Sequence, residues 1–270
     1  MQVRIFARLL CFLCVLSASV AAGQDQKLSA NQIIEKHLEA IGGRQALAKF
    51  KSRVAIGTIK KENEPDGQMI VMSELPNRLS AFYGFRDYDF RMIYDGSKAL
   101  IRPALPREVS VITDKYQEIL ASGLMFNGIS LYNLLAAGAA GDLKVEAKGM
   151  KKVAGKPAYV IQLKPQKGSA AKLYFDADTF MWVRTDFGSA SVSRQMGTFT
   201  NGVVNQGGSE TTVDFYIETS DFRDVDGVKL PFKFEQVMTS PILRQKAVGT
   251  IVGTIREYRN NELIDPKMFQ

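Results

Sequence analysis

The sequence predicts a mainly β, α+β protein in which one long antiparallel sheet curls around apolar helical segments. Three observations carry this. From Ser52 onward, apolar and polar residues alternate with a period of two in one run after another. Turn signals separate the runs at "NEPDG" (63–67), "PN" (76–77), "DG" (95–96), "DADT" (176–179) and "DG" (226–227). Two stretches depart from that period, one ahead of the first run and one between residues 113 and 140.

At the N-terminus, Arg4 and Arg8 precede an apolar run from Leu9 to Leu16, and small residues follow as far as Gly23, the pattern of a secretory signal peptide over 1–23. The uncharged span is shorter than the roughly 20 residues that a membrane-crossing helix needs. Cleavage is expected to leave 24–270 as a single domain and to remove Cys11 and Cys14, the only two cysteines. Cys14 follows Leu13 inside the apolar run, so no lipid anchor is expected at the cleavage point. The exported chain then carries 33 Lys+Arg against 28 Asp+Glu, a net charge of +5.

Ser29 with Gln32 three residues on forms a capping box. Ile33, Ile34, His37, Leu38 and Ile41 recur at helical spacing until Gly42-Gly43 stops the helix. A second helical piece over 44–51 brings Ala46, Leu47 and Phe50 to one side. Each piece has one apolar face and needs a sheet to cover.

In the strand run "DYDFRMIY" (87–94), Tyr88, Phe90, Met92 and Tyr94 point one way and Asp87, Asp89 and Arg91 the other, giving an apolar face and a wet one. The alternation returns in Tyr159, Ile161 and Leu163, in Val213, Phe215 and Ile217, and in Phe232 and Phe234. A sheet of about eleven such strands must curl. Between its halves, "DKYQEILASG" (114–123) and "LMFNGISLYNLLAAGAAG" (124–141) read as helices. The second is apolar around most of its circumference and so must be buried, either as a permanent core helix or as a lid over a cavity.

The chemistry that the sequence excludes is as informative. After the signal peptide there is one histidine, His37, at an apolar-spaced position, and no cysteine, so thiolate zinc sites and multi-histidine metal sites are ruled out. No metal or cofactor is expected. The carboxylate pairs Asp87/Asp89, Asp176/Asp178 and Asp224/Asp226 are i,i+2 neighbours at turns or on a wet strand face, which is what strand grammar produces without catalysis. In "DFRDVDGVKLPFKF" (221–234), setting Gly227 at the sixth position of a calcium loop puts Phe222 first and Lys233 last, where acids are needed. Asp226-Gly227 is instead the turn of a β-hairpin. "NQGGSE" (205–210) lacks the lysine and helix of a phosphate loop, and the glycines of "AIGGRQAL" serve a helix-to-helix turn.

Lys144, Lys148, Lys151, Lys152, Lys156, Lys164, Lys167 and Lys172 occur with only Glu146 among them. They suit contact with an anionic membrane surface or an acidic partner, or protection of an exposed strand against edge-to-edge pairing. No helical basic stripe with interleaved aromatics points to nucleic acid.

Several local patterns resemble the LolA/LolB outer-membrane lipoprotein carriers: Leu75-Pro76-Asn77, "IYDGSKALIRP" (93–103), "LMFNGISLYNLLA" (124–136), "AYVIQLKP" (158–165), "LYFDADTFMWVRTDF" (173–187), "DVDGVKLPFKF" (224–234) and "NNELIDPKMF" (260–269). The resemblance implies an unclosed antiparallel β-barrel, with an N-terminal helix and a helical lid or plug over an apolar cavity. It further implies a non-enzymatic carrier of lipid or acylated lipoprotein in the periplasm, monomeric, receiving cargo from an inner-membrane transporter or passing it to an outer-membrane acceptor. The family's arginine directly before Pro-Asn is Leu75 here, and Arg78 lies at an odd offset that turns it to the other face. The alternative expectation is a periplasmic sensor or scaffold that uses the same fold to hold a membrane-protein partner. Residues expected to line the cavity are Tyr83, Phe85, Tyr88, Phe90, Met92 and Tyr94 on the sheet, Met125, Phe126, Ile129, Leu131 and Leu135 on the helical segment, and Phe232 and Phe234 after the last turn.

Overall fold

The computed structural model describes residues 28–61, 64–75, 78–86, 89–95, 99–103, 143–165, 170–200, 203–240 and 246–270. The chain opens with helix α1 (Ala30–Ala40), capped as its sequence dictates: the Ser29 hydroxyl accepts from the Gln32 N–H at 3.3 Å, and the Ser29 N–H donates to Gln32 Oε1 at 2.8 Å. Gly42 ends it, and α2 (Gly43–Leu47) follows, shorter than the 44–51 expected because residues 48–50 turn out of the helix into the sheet.

Five strands form a first meander, β1 (Ser52–Lys61), β2 (Gly67–Glu74), β3 (Arg78–Gly84), β4 (Asp89–Tyr94) and β5 (Ala99–Pro103). Seven form a second: β6 (Leu143–Val153), β7 (Lys156–Pro165), β8 (Ala171–Asp176), β9 (Trp182–Thr200), β10 (Val203–Val225), β11 (Val228–Ser240) and β12 (Lys246–Asn260). All twelve belong to one sheet, one strand more than the eleven or so expected. Its order is β5-β4-β3-β2-β1-β12-β11-β10-β9-β8-β7-β6. Each strand pairs antiparallel with its sequence neighbour except at the centre, where β1 pairs with β12. The barrel stays open because β5 and β6 are edges with no pairing between them among the described residues.

Alternation decides what each strand buries. Ala55 and Ile59 of β1, Met69 and Val71 of β2, Leu79, Ala81 and Tyr83 of β3, Ile161 and Leu163 of β7, Leu173 and Phe175 of β8, and Leu230, Phe232 and Phe234 of β11 share one inner face. Ile33, Ile34, Leu38 and Ile41 of α1, with Leu47 and Phe50, pack onto it as one continuous core. Among the described residues, the helical cover of the inner face is thus α1 and α2; the apolar segment 113–140 expected to do this lies outside them.

The opposite face is not uniformly wet, which corrects the simple alternation. The C-terminal segment folds back across β1–β4 and ends in a short 3-10 helix (Pro266–Phe269). Ile264 and Phe269 pack there on Met72, with Val54, Ile70 and Met268 around them. Arg78 ion-pairs with Glu74 and places its guanidinium 5.0 Å from the Phe269 ring centroid, on this outer side as its odd offset requires. Arg91 Nη1 donates to the Met268 sulfur at 3.6 Å. Local strand pattern does not foretell a chain end returning from the far side of the sequence.

Half of the lysine run falls on the edge of the sheet, while Lys156 and Lys164 lie on β7, Lys172 lies on β8 and Lys167 is outside the described residues. Lys144, Lys148, Lys151 and Lys152 are exposed along β6, whose outer side has no partner strand among the described residues. That is the placement edge protection requires.

Phe234 lies opposite Gly253 across the β11–β12 pair, and its ring covers the glycine: a Cβ there would stand 2.0 Å from a ring carbon. Gly253→Ala is therefore expected to push the ring aside and to lower stability by about 1–3 kcal/mol. A urea midpoint equal to the wild type's would contradict this packing.

Candidate functional site

Where α1 and α2 cross β1, β2 and β9–β12, the inner face is not completely filled. A cavity of about 60 Å³ remains. Ile41, Leu47, Ala55, Met69, Val71, Trp182, Ile217, Leu230, Phe234 and Ile255 make most of its wall apolar. By comparison, a cavity of about 150 Å³ takes a benzene, so this one is too small even for that unless the helices shift. A larger hollow of about 270 Å³ lies among Lys156, Asp176, Glu218, Lys233 and Glu235. Its charged walls are open to water, which makes it a surface groove rather than a ligand chamber.

The inner cavity has an unusual polar complement. Arg53 takes the inward parity of Ala55 and Ile59 and is only 2% exposed. Its Nε donates to Asn260 Oδ1 at 2.9 Å, and Asn260 Nδ2 in turn donates to Asp226 Oδ2 at 2.8 Å. The guanidinium lies 5.4 Å from the Phe50 ring centroid and 5.9 Å from that of Tyr258. Neither Nη1 nor Nη2 has a hydrogen-bond partner among the described residues. Burial pushes its pKa down to about 10, so it still carries its charge at neutral pH.

His37 enters the same cavity from α1 and is also 2% exposed. Its Nδ1 lies 2.9 Å from the Phe180 carbonyl, which can only accept, so Nδ1 carries the proton and Nε2 is left as an acceptor with no partner among the described residues. The ring meets Phe175 edge to face at 5.1 Å. Burial lowers its pKa to about 4, against the smaller opposing effect of the Phe180 bond, so the imidazole is neutral at pH 7. Across the cavity, the Tyr258 hydroxyl donates to the Pro231 carbonyl at 2.5 Å, and burial raises its pKa. Among the described residues no nucleophile or carboxylate bonds to this imidazole, which forms part of the cavity wall.

The helices are tied to the sheet at a few points. The Lys229 N–H donates to the Ile41 carbonyl at 2.9 Å, and Gly42 passes so close to the β10–β11 turn that a Cβ there would stand 2.1 Å from the Gly227 carbonyl oxygen. That turn is the expected hairpin: Asp226 and Gly227 have φ of 54° and 82°, and Val225 pairs with Val228. The Asp224 carboxylate accepts from the Gly227 N–H at 3.1 Å. Both aspartates are thus committed to structure, Asp226 through its bond to the asparagine that holds Arg53.

Of the residues expected to line a cavity, Phe234 lines this one. Tyr83, Phe85, Met92 and Phe232 belong to the same apolar core, with Tyr94 packed against it, but they lie away from the cavity wall. Phe90 occupies the β4 position opposite Tyr83. Tyr88, Met125, Phe126, Ile129, Leu131 and Leu135 lie outside the described residues. Sequence reasoning missed Arg53, Trp182 and Tyr258. Arg53 carried little signal: in "SRVAIGTI" (52–59) it shares its parity with Ala55, Gly57 and Ile59, while Val54 and Ile56 make the other parity equally apolar.

Fold and site together define an open antiparallel sheet holding a capped, mostly apolar cavity. No protein-family model and no curated protein matches the chain. Among solved structures it is similar to an outer membrane lipoprotein-sorting protein domain from Vibrio parahaemolyticus, with 10% identity over 89% of this chain and 95% of that one and a TM-score of 0.48. It is likewise similar to a LolA superfamily protein from Nitrosomonas europaea (12% identity, 90% and 98% coverage, TM-score 0.48) and to a DUF1329 family protein from Desulfovibrio piger (11%, 89% and 97%, 0.46). At such identities likeness concerns the fold alone; function has to come from the chain's own geometry.

Proposed function

We propose that the protein is a periplasmic carrier that binds a lipid-like ligand, an acyl chain or an acylated lipoprotein, against the inner face of its open sheet and performs no covalent chemistry on it. The observation that supports this is the cavity beneath α1 and α2: its wall is mostly apolar, yet it keeps two buried polar groups, Arg53 and His37, with hydrogen-bonding capacity unused among the described residues. A core built only for stability would avoid both. Each methylene moved from water into such a wall contributes about 0.8 kcal/mol, so a chain of eight supplies about 6 kcal/mol without any new polar contact. Such a chain needs α1 and α2 to part from the sheet. The family resemblance in the sequence supports the same reading.

Native mass spectrometry of the exported protein tests it. A mass above that of the polypeptide, lost on delipidation and restored by added fatty acid, is the expected result. Bare polypeptide together with no uptake of a fluorescent fatty acid would rule the carrier out and leave the scaffold reading, in which the same surface holds a protein partner.

A further inference from the structure

We propose that Arg53 is the head-group anchor of the cavity, and that the ligand it selects is an aliphatic carboxylate, a free fatty acid, whose two oxygens accept from Nη1 and Nη2. This rests on the carrier reading above and names the ligand class for it.

A guanidinium cannot shed its charge at neutral pH, and taking it out of water costs several kcal/mol unless its donors are used. Among the described residues only Nε finds an acceptor. Asn260 holds that edge of the group, Asp226 holds Asn260, and the Phe50 and Tyr258 rings stand beside the cation. Arg53 lines the cavity, and its two remaining nitrogens are buried with no acceptor among the described residues. A side chain fixed along one edge, with its other donors unused among the described residues, is arranged for a planar acceptor.

The shape and charge of the site narrow the choice. A carboxylate matches the guanidinium fork with two parallel hydrogen bonds and cancels its single charge. A phosphate would bring a second negative charge, and the other cation on the wall, Lys229, is exposed. The rest of the wall suits an alkyl tail: Trp182, Phe234, Ile217 and Ile255 give it apolar surface. An uncharged head such as an alcohol would fill the same space without satisfying the cation.

The test compares dodecanoate with dodecanol, titrated into the delipidated full chain and followed by calorimetry. The wild type should bind dodecanoate about tenfold or more tightly than the alcohol, the margin that a hydrogen bond to a charged group supports. Arg53→Met should abolish that preference while leaving the alcohol's affinity and the urea midpoint no lower than the wild type's. Arg53→Lys, which keeps the charge but loses the fork, should restore only part of the preference. An unchanged preference in either variant would overturn the anchor and leave the carrier standing. A collapse of stability in Arg53→Met would make the arginine a structural residue, and with it the anchor would fall. Failure of the wild type to bind either compound would remove the carrier reading itself.

Discussion

Gly42→Ala is expected to lower stability by about 3 kcal/mol and to detach the N-terminal helices from the sheet. Gly42 has φ of 123°, a conformation that side-chain-bearing residues avoid, and an added Cβ would stand 2.1 Å from the Gly227 carbonyl oxygen. Backbone strain of this kind costs about 1–3 kcal/mol, and a clash against backbone that cannot rotate away adds an overpacking cost of about the same size. Relief requires α1 and α2 to lift from the β10–β11 turn. The bond from the Lys229 N–H to the Ile41 carbonyl would then weaken, so the Lys229 amide should exchange with solvent faster in the variant. Gly43→Ala is the control: its φ is 85° but nothing lies within 4 Å of the added carbon, so strain is its only cost. Equal effects of the two substitutions on the urea midpoint would mean that the helix–turn contact does not hold the cap in place.

The second large effect concerns pH. His37 has its pKa lowered by burial from 6.5 to about 4, while in the unfolded chain it returns to its ordinary value. Above pH 6.5 both states are neutral there and the group adds no pH dependence. Between 6.5 and 4 the unfolded chain takes up the proton and the folded one does not, so stability falls as the pH drops through that window. The loss should approach about 3 kcal/mol near pH 4. In His37→Phe this component is absent, so subtracting its stability-versus-pH profile from the wild type's isolates the histidine from carboxylates that titrate lower down. A difference that stays flat from pH 7 to 4.5 would show that the imidazole is not held neutral in the core. In the folded protein the imidazole takes up its proton only near pH 4, so ligand retention should stay level through most of that window and change only at its acid end, in the wild type and not in the variant.

Much of the fold is legible in the sequence because strand grammar is local. The capping box at Ser29 and Gln32, the stop at Gly42-Gly43, the start of β1 at Ser52 and the Asp226-Gly227 hairpin each depend on a few neighbouring residues, and each stands where the pattern puts it. What is not legible joins distant parts of the chain. The β1–β12 pairing joins the first strand to the last, and the return of Ile264 and Phe269 onto the outer face of β1–β4 joins the C-terminus to the first meander. The cavity belongs to the same category: Arg53, Asn260 and Asp226 come from three separate strands or turns, and no spacing along the chain links them. The apolar residues Tyr83, Phe85 and Met92 share the inner face with the cavity wall, yet period-two alternation identifies a face and not a place on it. The aspartates of the last turn are structural, as their hairpin setting implied, but Asp226 reaches the site indirectly through Asn260.

The measurement that bears most directly on the carrier reading uses Trp182, the only tryptophan in the sequence, which lines the cavity and is 9% exposed. A brominated fatty acid quenches indole only at close range, whereas iodide in solution reaches only exposed rings. If the cavity takes acyl chains, the brominated acid should quench Trp182 saturably, the unbrominated acid should reverse this by competition, and iodide should have little effect throughout. Fluorescence that ignores the brominated acid while the protein remains folded would mean that no chain enters beneath α1 and α2, and the carrier reading would be wrong.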